Sequence, residues 1–494
     1  MARVLLLNPG RWGRGITPIW VASHAAQLKA RGHEVALFDA TFFSDWAQNE
    51  NAFNTANLQY RPSPYEEQIR YDGTPVATAL QAKLDAFRPQ VVFWAALSSH
   101  IHGEGEYVAI QFGHELMSRV KSTATRISGG LQPTAAPAQT AARFPGIDYF
   151  ISGESDLALA QVVEALQAGQ SLTGLPGLVR REGREVVVGP KLSIISDLDA
   201  IGHYDYSLFE DQVFLRPYIG EVVRAVDYEL SRGCPFTCSY CVETVIQSYY
   251  QLTETTKRGA LRGADRYLRH KSASRIFSEM SGLYRDQGVT LFRCQDTNFL
   301  TIHKGTLTEL AGLLENSGLP IRLYVETRPE GINSGSVRLL QRLKVDGVGM
   351  GIELSTQQFR ESKLNRFSDQ GAIERAFQLL REAGIRRTAY NIVGIPDQTE
   401  ESIIETVEFN RKLDPDNVTV AFYSPYLGTE QQKLGTEKEY FLDYEFDLDS
   451  QLRTMTRHSV LSALMLAFYK RNFVRLVRDG TDALAALKRA EGIA

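Results

Sequence analysis

The sequence predicts an α/β protein built from two strand–helix series in tandem. An N-terminal doubly wound, Rossmann-like sheet is followed by a partial (β/α)6 TIM-type barrel and C-terminal helices. Three observations lead there. Strand and helix patterns alternate through the first 170 residues, they alternate again over six units from about residue 224, and 494 residues exceed what one ordinary core accommodates. The expected divisions are 1–170 for the first unit, 171–222 for a Gly- and Pro-rich connector, 223–430 for the barrel and 431–494 for a helical region.

In the first unit, "ARVLLLNPG" (2–10) reads as a buried strand ending in a Pro-Gly turn, and 22–34 as a helix closing at Gly32. A second strand (34–40), a polar insertion (41–75), a helix (76–90) and the strand "VVFWAALSS" (91–99) follow. A helix near 106–121 leads to "RISGGLQPT" (126–134), then to "IDYFISGESD" (147–156) and a last helix. Such a series makes a parallel sheet whose ligands sit at the carboxyl ends of the strands. In the second unit the strands expected are "AVDYELSRG" (225–233), 289–296, 321–328, 347–355, 387–394 and 417–426. A barrel of this type carries its reactive face at the strand C-termini.

Composition narrows the functional classes. The net charge of −4 lacks the basic excess of a phosphate-binding surface, so nucleic acid is not an expected partner. The apolar run at residues 4–7 is too short for a signal peptide, and 460–469 is about half a bilayer span, which reads as a cytoplasmic protein. Clustered cysteines in that compartment are metal ligands or redox groups more often than disulfides.

The densest chemistry is "ELSRGCPFTCSYCVE" (229–243), with Cys234, Cys238 and Cys241 in a C-x3-C-x2-C spacing after a strand pattern. A closed zinc site wants four ligands, and there is no second C-x2-C pair; Cys294 or a histidine would have to complete it. Three soft thiolates with one position open suit a [4Fe–4S] cluster that keeps an iron for a non-protein ligand. A purely structural cluster is the third reading.

This loop, with Tyr240 as the aromatic before its third cysteine, resembles the radical S-adenosylmethionine (SAM) superfamily. The resemblance implies that SAM chelates the open iron and is cleaved to a 5′-deoxyadenosyl radical, with flavodoxin or ferredoxin as electron donor. It also implies SAM contacts at Tyr240, at Asp296 in "QDTNF", at Glu326 and Arg328 in "ETRPE", and at Glu353 and Ser355 in "GIELS". Arg366 in "KLNR" is expected to clamp the carboxylate, and Gly394 in "NIVGIPDQTEE" to form the adenine turn. Two departures stand out: Thr297 replaces a second aspartate, and Asp397-Gln398 replaces a Gly-Glu pair. Cys294 is expected to point inward, as a small buried hydrophobe or, less simply, a hydrogen donor or extra ligand.

A doubly wound unit ahead of such a barrel resembles the cobalamin-binding (class B) radical SAM enzymes. That resemblance implies corrin contacts at the strand-end turns: Asn8, Gly10, Thr17, Ser98, Ser99, Gly129, Gly130, Gln132, Gly153 and Glu154. A nucleotide-binding sheet uses similar turns, but no G-x-G-x-x-G follows the first strand. The D-x-H-x-x-G pattern is missing, and His24, His33, His100, His102 and His114 read as surface or packing residues, so cobalamin is expected without a lower histidine.

The activity implied is methyl transfer from cobalamin to an unactivated carbon of a small-molecule substrate or biosynthetic intermediate. A non-methylating oxidative cyclisation or ring rearrangement is the alternative; a cobalamin sensor or carrier without chemistry is a different class. The basic amphipathic stretch 457–478 reads as a helix docked on the barrel, with a membrane-surface contact as its other reading.

Overall fold

The structure is a computed structural model and describes residues 1–11, 16–48, 50–96, 105–423, 426–437 and 460–493. Two seven-stranded sheets organise it. The first contains β1 (Arg3–Asn8), β2 (Glu34–Asp39), β3 (Val91–Trp94), β4 (Thr125–Ser128), β5 (Tyr149–Ile151), β6 (Leu178–Glu182) and β7 (Glu185–Val188) in the order β2-β1-β3-β4-β5-β6-β7. β1 to β5 are parallel, and β6 and β7 extend the sheet as an antiparallel hairpin. The order reverses between β1 and β3, which opens a crevice at their carboxyl ends, where doubly wound sheets bind ligands.

Both faces of this sheet are covered, which is why β1 is a continuous apolar run and not an alternating one. Val4 and Leu6 enter the cluster on one side and Leu5 and Leu7 the cluster on the other, all fully buried. Each such side chain stabilises the fold by roughly 1.5–3 kcal/mol. Two helices flank the sheet close to their expected places, Ile19–Ala30 and Val76–Phe87, with Gly32 at φ +76° just beyond the first. Within 126–134 the strand ends at Ser128, and Gly130 at φ +105° turns the chain into a short helix at Leu131–Ala135.

The second sheet contains β8 (Leu215–Tyr218), β9 (Glu221–Tyr228), β12 (Leu291–Cys294), β13 (Arg322–Glu326), β14 (Val345–Glu353), β15 (Arg386–Val393) and β16 (Asn417–Phe422). β9 to β16 run parallel in sequence order, giving the expected six-unit half-barrel, and β8 pairs antiparallel with β9 at one edge. The segment expected as a connector thus supplies β6 and β7 to the first sheet and β8 to the second. The strand expected over 225–233 divides at Glu229-Leu230. Beyond it, β10 (Ser231–Arg232) leaves the sheet to pair antiparallel with β11 (Arg269–His270).

Outward residues of the barrel strands, such as Phe292, Val325, Val348 and Ile352, join the same apolar cluster as Val4, Trp20 and Phe93 of the first sheet. The inner face is different in kind. It carries Arg293, Tyr324, Thr388, Tyr390 and Thr419, with Gly347 and Gly349 opposite the two tyrosines. A Cβ on Gly349 would stand 2.4 Å from the Tyr390 hydroxyl, so β14 is glycine-rich to make room for inward aromatic rings.

Cys294 corrects one expectation. Lumen positions are Leu291 and Arg293, so Cys294 falls on the outer face, buried among apolar side chains beside Phe292. The C-terminal helix Ala463–Asp479 lays Leu466, Phe468, Phe473 and Leu476 against Val407 and Val420, so its apolar face is spent on the barrel. No helix among the described residues is long and apolar enough to cross a membrane.

Candidate functional site

The cysteine loop begins where β10 ends. Gly233 stands at φ +99°, and a Cβ there would lie 2.4 Å from the carbonyl oxygen of Tyr267, so only glycine fits. The Gln247 side chain donates to the carbonyl oxygens of Cys234 and Phe236, both at 2.9 Å, holding the first half of the loop. Asn365 donates to the Thr237 carbonyl at 2.7 Å, and the Ser239 amide donates to the Leu364 carbonyl at 3.0 Å. These pins tie the loop to the helix Glu243–Tyr249 and to the segment after β14.

Cys234 and Cys238 are buried and Cys241 half-buried. No group of three or more His, Cys, Asp and Glu side chains among the described residues is arranged around a single ion. Burial, then the neighbouring Glu243 carboxylate, pushes the Cys234 and Cys241 thiols up, so bringing them to thiolates needs the positive charge of a metal. Arg328 supplies part of the local charge: it lies 3.8 Å over the Phe236 ring and donates to Cys238 Sγ at 3.7 Å. Glu243, raised by burial to about 7, accepts from Tyr267 at 2.7 Å and Thr297 at 3.1 Å.

At the barrel mouth the expected SAM residues separate into two groups. Tyr240 donates to Glu353 at 2.9 Å, and Arg366 stands 3.6 Å from the same oxygen while donating to the Gly351 carbonyl at 2.6 Å. The Arg366 Nε is buried without a partner among the described residues, a donor suited to a carboxylate ligand. Arg328 joins this group through Glu330 at 2.7 Å. Asp296, Ser355, Glu326 and Gly394 are held elsewhere. Asp296 accepts from the Leu230 amide at 3.1 Å and from the Ser231 hydroxyl, so it fixes the break after β9, and burial raises it to about 7. Ser355 is bonded to Thr406, Gly394 donates to Gln398, and Glu326 accepts from Tyr390 at 3.1 Å on the lumen side.

Sequence reasoning missed Arg360, which is fully buried and donates to the carbonyls of Leu354, Ser355 and Ser368. It also missed Glu243, Gln247 and Asn365. Their partners lie far off in the chain or on backbone atoms, which no motif records.

The first sheet turns its strand ends towards this loop. Gly153, at φ +84°, would place a Cβ 2.8 Å from the Tyr249 ring. Leu131 and Ala135 pack with Val242, Val245, Ile246 and Cys241 in one small apolar cluster. Several expected corrin contacts are committed within this interface. Thr17 bonds Asp227 through its amide and hydroxyl, and Glu154 takes Arg269 bidentately at 2.8 Å. A Cβ on Gly129 would lie 3.0 Å from the Ala95 carbonyl, a tight contact that favours glycine. Ala95 and Ala96 beyond β3 and Gly129 and Gly130 beyond β4 are small and buried, and the Gln132 side chain is buried next to them. Ser98, Ser99, His100 and His102 lie outside the described residues.

The remaining histidines of this unit are packed. His24 contacts the Trp20 carbonyl at 2.7 Å and Ser155 at 2.9 Å, His33 accepts from the Ala2 amide at 3.2 Å, and His114 lies against Phe144. Asn8 and Gly10 belong to a network at the ends of β1 and β2. Asn8 donates to Asp39 at 2.9 Å, Thr41 donates to Asp39 through its amide, and the Gly10 amide donates to Asn8.

Burial raises Asp39 to about 6, with Glu210 adding to it and the bonds from Thr41 and Asn8 opposing it. A raised carboxyl contributes stability that is present below its unfolded value and lost as pH rises through the folded one. Asp39→Asn, which keeps the acceptor oxygen, should raise stability by up to about 2 kcal/mol at pH 8 and leave it unchanged near pH 4. Urea melts at the two pH values check this.

Comparison with known proteins agrees with this geometry. Residues 228–409 match the family described as the radical SAM superfamily. An uncharacterized methyltransferase of Pyrococcus horikoshii is 26% identical over 303 residues, covering 61% of each chain. The anaerobic magnesium-protoporphyrin IX monomethyl ester cyclase of Rubrivivax gelatinosus is 25% identical over 457 residues, 90% of this chain and 72% of its own. The radical SAM methyltransferase TsrM of Kitasatospora setae, solved with cobalamin and a [4Fe–4S] cluster, superposes with TM-score 0.63 at 18% identity. That match covers 88% of this chain and 78% of TsrM. The chain thus spans about three fifths of the archaeal relative's length. Residues 228–409 carry a radical SAM superfamily domain, and the two-sheet fold of the chain is one it shares with TsrM.

Proposed function

We propose that this chain is a cobalamin-dependent radical SAM methyltransferase that methylates an unactivated carbon of a small molecule. One observation carries the reading: the cysteine loop and the strand-end turns of the first sheet meet in a single buried contact, through Gly153 on Tyr249 and Leu131 on Val242 and Val245. When bound, a [4Fe–4S] cluster supplies the electron that cleaves SAM, and cobalamin carries the methyl group. The proposed division assigns 1–170 to corrinoid binding, 223–430 to the radical SAM barrel and 431–494 to its helical cover, with 171–222 joining the two units and lending β6 and β7 to the first sheet and β8 to the second.

The chain's own residues provide position and dryness. Cys234, Cys238 and Cys241 are the cluster ligands, and Arg328 neutralises charge at Cys238. Arg366, with its spare buried Nε, takes the SAM carboxylate, while Tyr240 fixes Glu353 beside it. The cluster of Leu131, Val242, Val245, Ile246 and Tyr267 excludes water from the contact, where a radical would otherwise be quenched. A one-electron donor such as flavodoxin or ferredoxin completes the set.

A second reading rests on the Rubrivivax cyclase, whose match covers 90% of this chain: radical chemistry without methyl transfer. Anaerobic turnover of the reconstituted chain with SAM and reductant distinguishes the two. Methylation yields S-adenosylhomocysteine alongside 5′-deoxyadenosine; cyclisation yields 5′-deoxyadenosine alone. A chain that retains no iron and cleaves no SAM sinks both. Gly233→Ala is expected to lose most of its iron. The left-handed backbone costs about 1–3 kcal/mol with a side chain, and the Tyr267 carbonyl blocks the Cβ. Iron per chain measured beside a far-ultraviolet spectrum checks that the fold survives.

A further inference from the structure

The half-barrel has an inner cavity of about 200 Å³ that the chemistry above does not use. It lies among the first and middle inward residues of the strands, away from the C-terminal ends that carry the cysteine loop. The polar insertion of the first unit forms one wall. The Val420 amide on edge strand β16 donates to the Gln59 side chain at 3.0 Å, and Pro62 and Arg61 abut Gly220 in the β8–β9 turn. Residues 59–62 therefore bridge the two open edges of the sheet and wall the lumen on that side.

The lining is aromatic and donor-rich. Tyr218, Tyr324 and Tyr390 present rings, and Tyr324 and Tyr390 bond each other at 2.8 Å. Arg293 projects into the lumen with a guanidinium that makes no hydrogen bond among the described residues; its nearest carboxylate, Glu326, is 3.8 Å away. Two further lining donors, Gln59 Nε2 and Arg386 Nε, are buried and have no partner there either. Unsatisfied buried donors cost roughly 1–3 kcal/mol each, so Gln59 Nε2 and Arg386 Nε, together with the half-buried Arg293 guanidinium, call for an acceptor-rich occupant. Planar guanidinium matches carboxylate in particular, and the tyrosine faces match a flat ring.

We propose that this lumen is a binding site for a flat, carboxylate-bearing small molecule, with Arg293 on the carboxylate and the tyrosines against the ring. Calorimetric titration of the full chain with indole-3-acetate and with uncharged indole-3-acetamide tests it. The carboxylate should bind about tenfold or more tightly than the amide, and Arg293→Gln should erase that preference. Arg293→Lys should restore part of it. Should Arg293→Gln fail to fold, Asn417→Asp, which adds a negative charge to the lining, should weaken the carboxylate and spare the amide. Equal binding of both probes, or binding of neither (a cavity that holds water only), overturns the assignment.

Discussion

Replacing Arg232 by alanine is expected to lower the unfolding free energy by about 3–5 kcal/mol, because it leaves buried carboxylates without their cation. The Arg232 side chain is 1% exposed and joins the two units. It binds Asp156 of the first through two bonds at 2.7 and 3.0 Å, and Glu229 of the second at 2.7 and 3.0 Å. Glu154, already held by Arg269, stands 3.7 Å away. A surface pair gives the contrast: Arg342 and Glu315 are more than 40% exposed, so Arg342→Ala should cost no more than about 1 kcal/mol.

The same network fixes an acid limit. Burial alone would raise Asp156, but the charge and hydrogen bonds of Arg232 prevail and hold it well below the usual carboxylate range. A depressed carboxyl contributes stability above its unfolded value and loses it as pH falls through the folded one. The wild type should therefore lose this contribution progressively below about pH 4, where Arg232→Ala has nothing left to lose. Urea melts of both chains from pH 7 down to pH 3 measure the difference. A gap that stays constant with pH would show that the guanidinium acts through packing alone.

That network was invisible in the sequence, and the reason is physical. Arg232 and Asp156 are 76 residues apart, and Arg269 and Glu154 are 115 apart. Nothing in local periodicity marks such pairs. Glu154 was expected at the corrin because it follows a strand-end glycine; the same exposed edge serves equally well to dock a neighbouring unit. Thr17 shows the same ambiguity, since a hydroxyl at an edge says nothing of whether its partner is a ligand or, as in this structure, Asp227. β1 was legible because burial on both faces writes itself into a contiguous apolar run, and the barrel strands were legible because their outward positions are apolar in series. The cysteine loop was legible because its three thiols and Gly233 are all local. Two-residue strands such as β10 and β11 have no period to read, and Asp296 showed its location while hiding its direction.

Cysteine replacement should have the largest effect on chemistry, and it should be confined to three of the four thiols. Cys238→Ala is expected to abolish iron binding and SAM cleavage to below detection, and Cys234→Ala and Cys241→Ala likewise, because a cluster with two protein ligands is not held. Cys294→Ala should retain iron and cleave SAM within about twofold of wild type, with stability down by roughly 1–2 kcal/mol for the lost side-chain packing. The asymmetry follows from β12. Leu291 and Arg293 face the lumen, so Cys294 faces the helices, fully buried, with its sulfur 3.7 Å from the Phe292 carbonyl. It cannot swing through the sheet to complete a four-thiolate site. Iron and labile sulfide per chain, measured with 5′-deoxyadenosine release on all four variants, decide the matter. Loss of metal from Cys294→Ala to the same extent as from Cys238→Ala would mean four protein ligands and no open iron, and the radical chemistry would have to be given up.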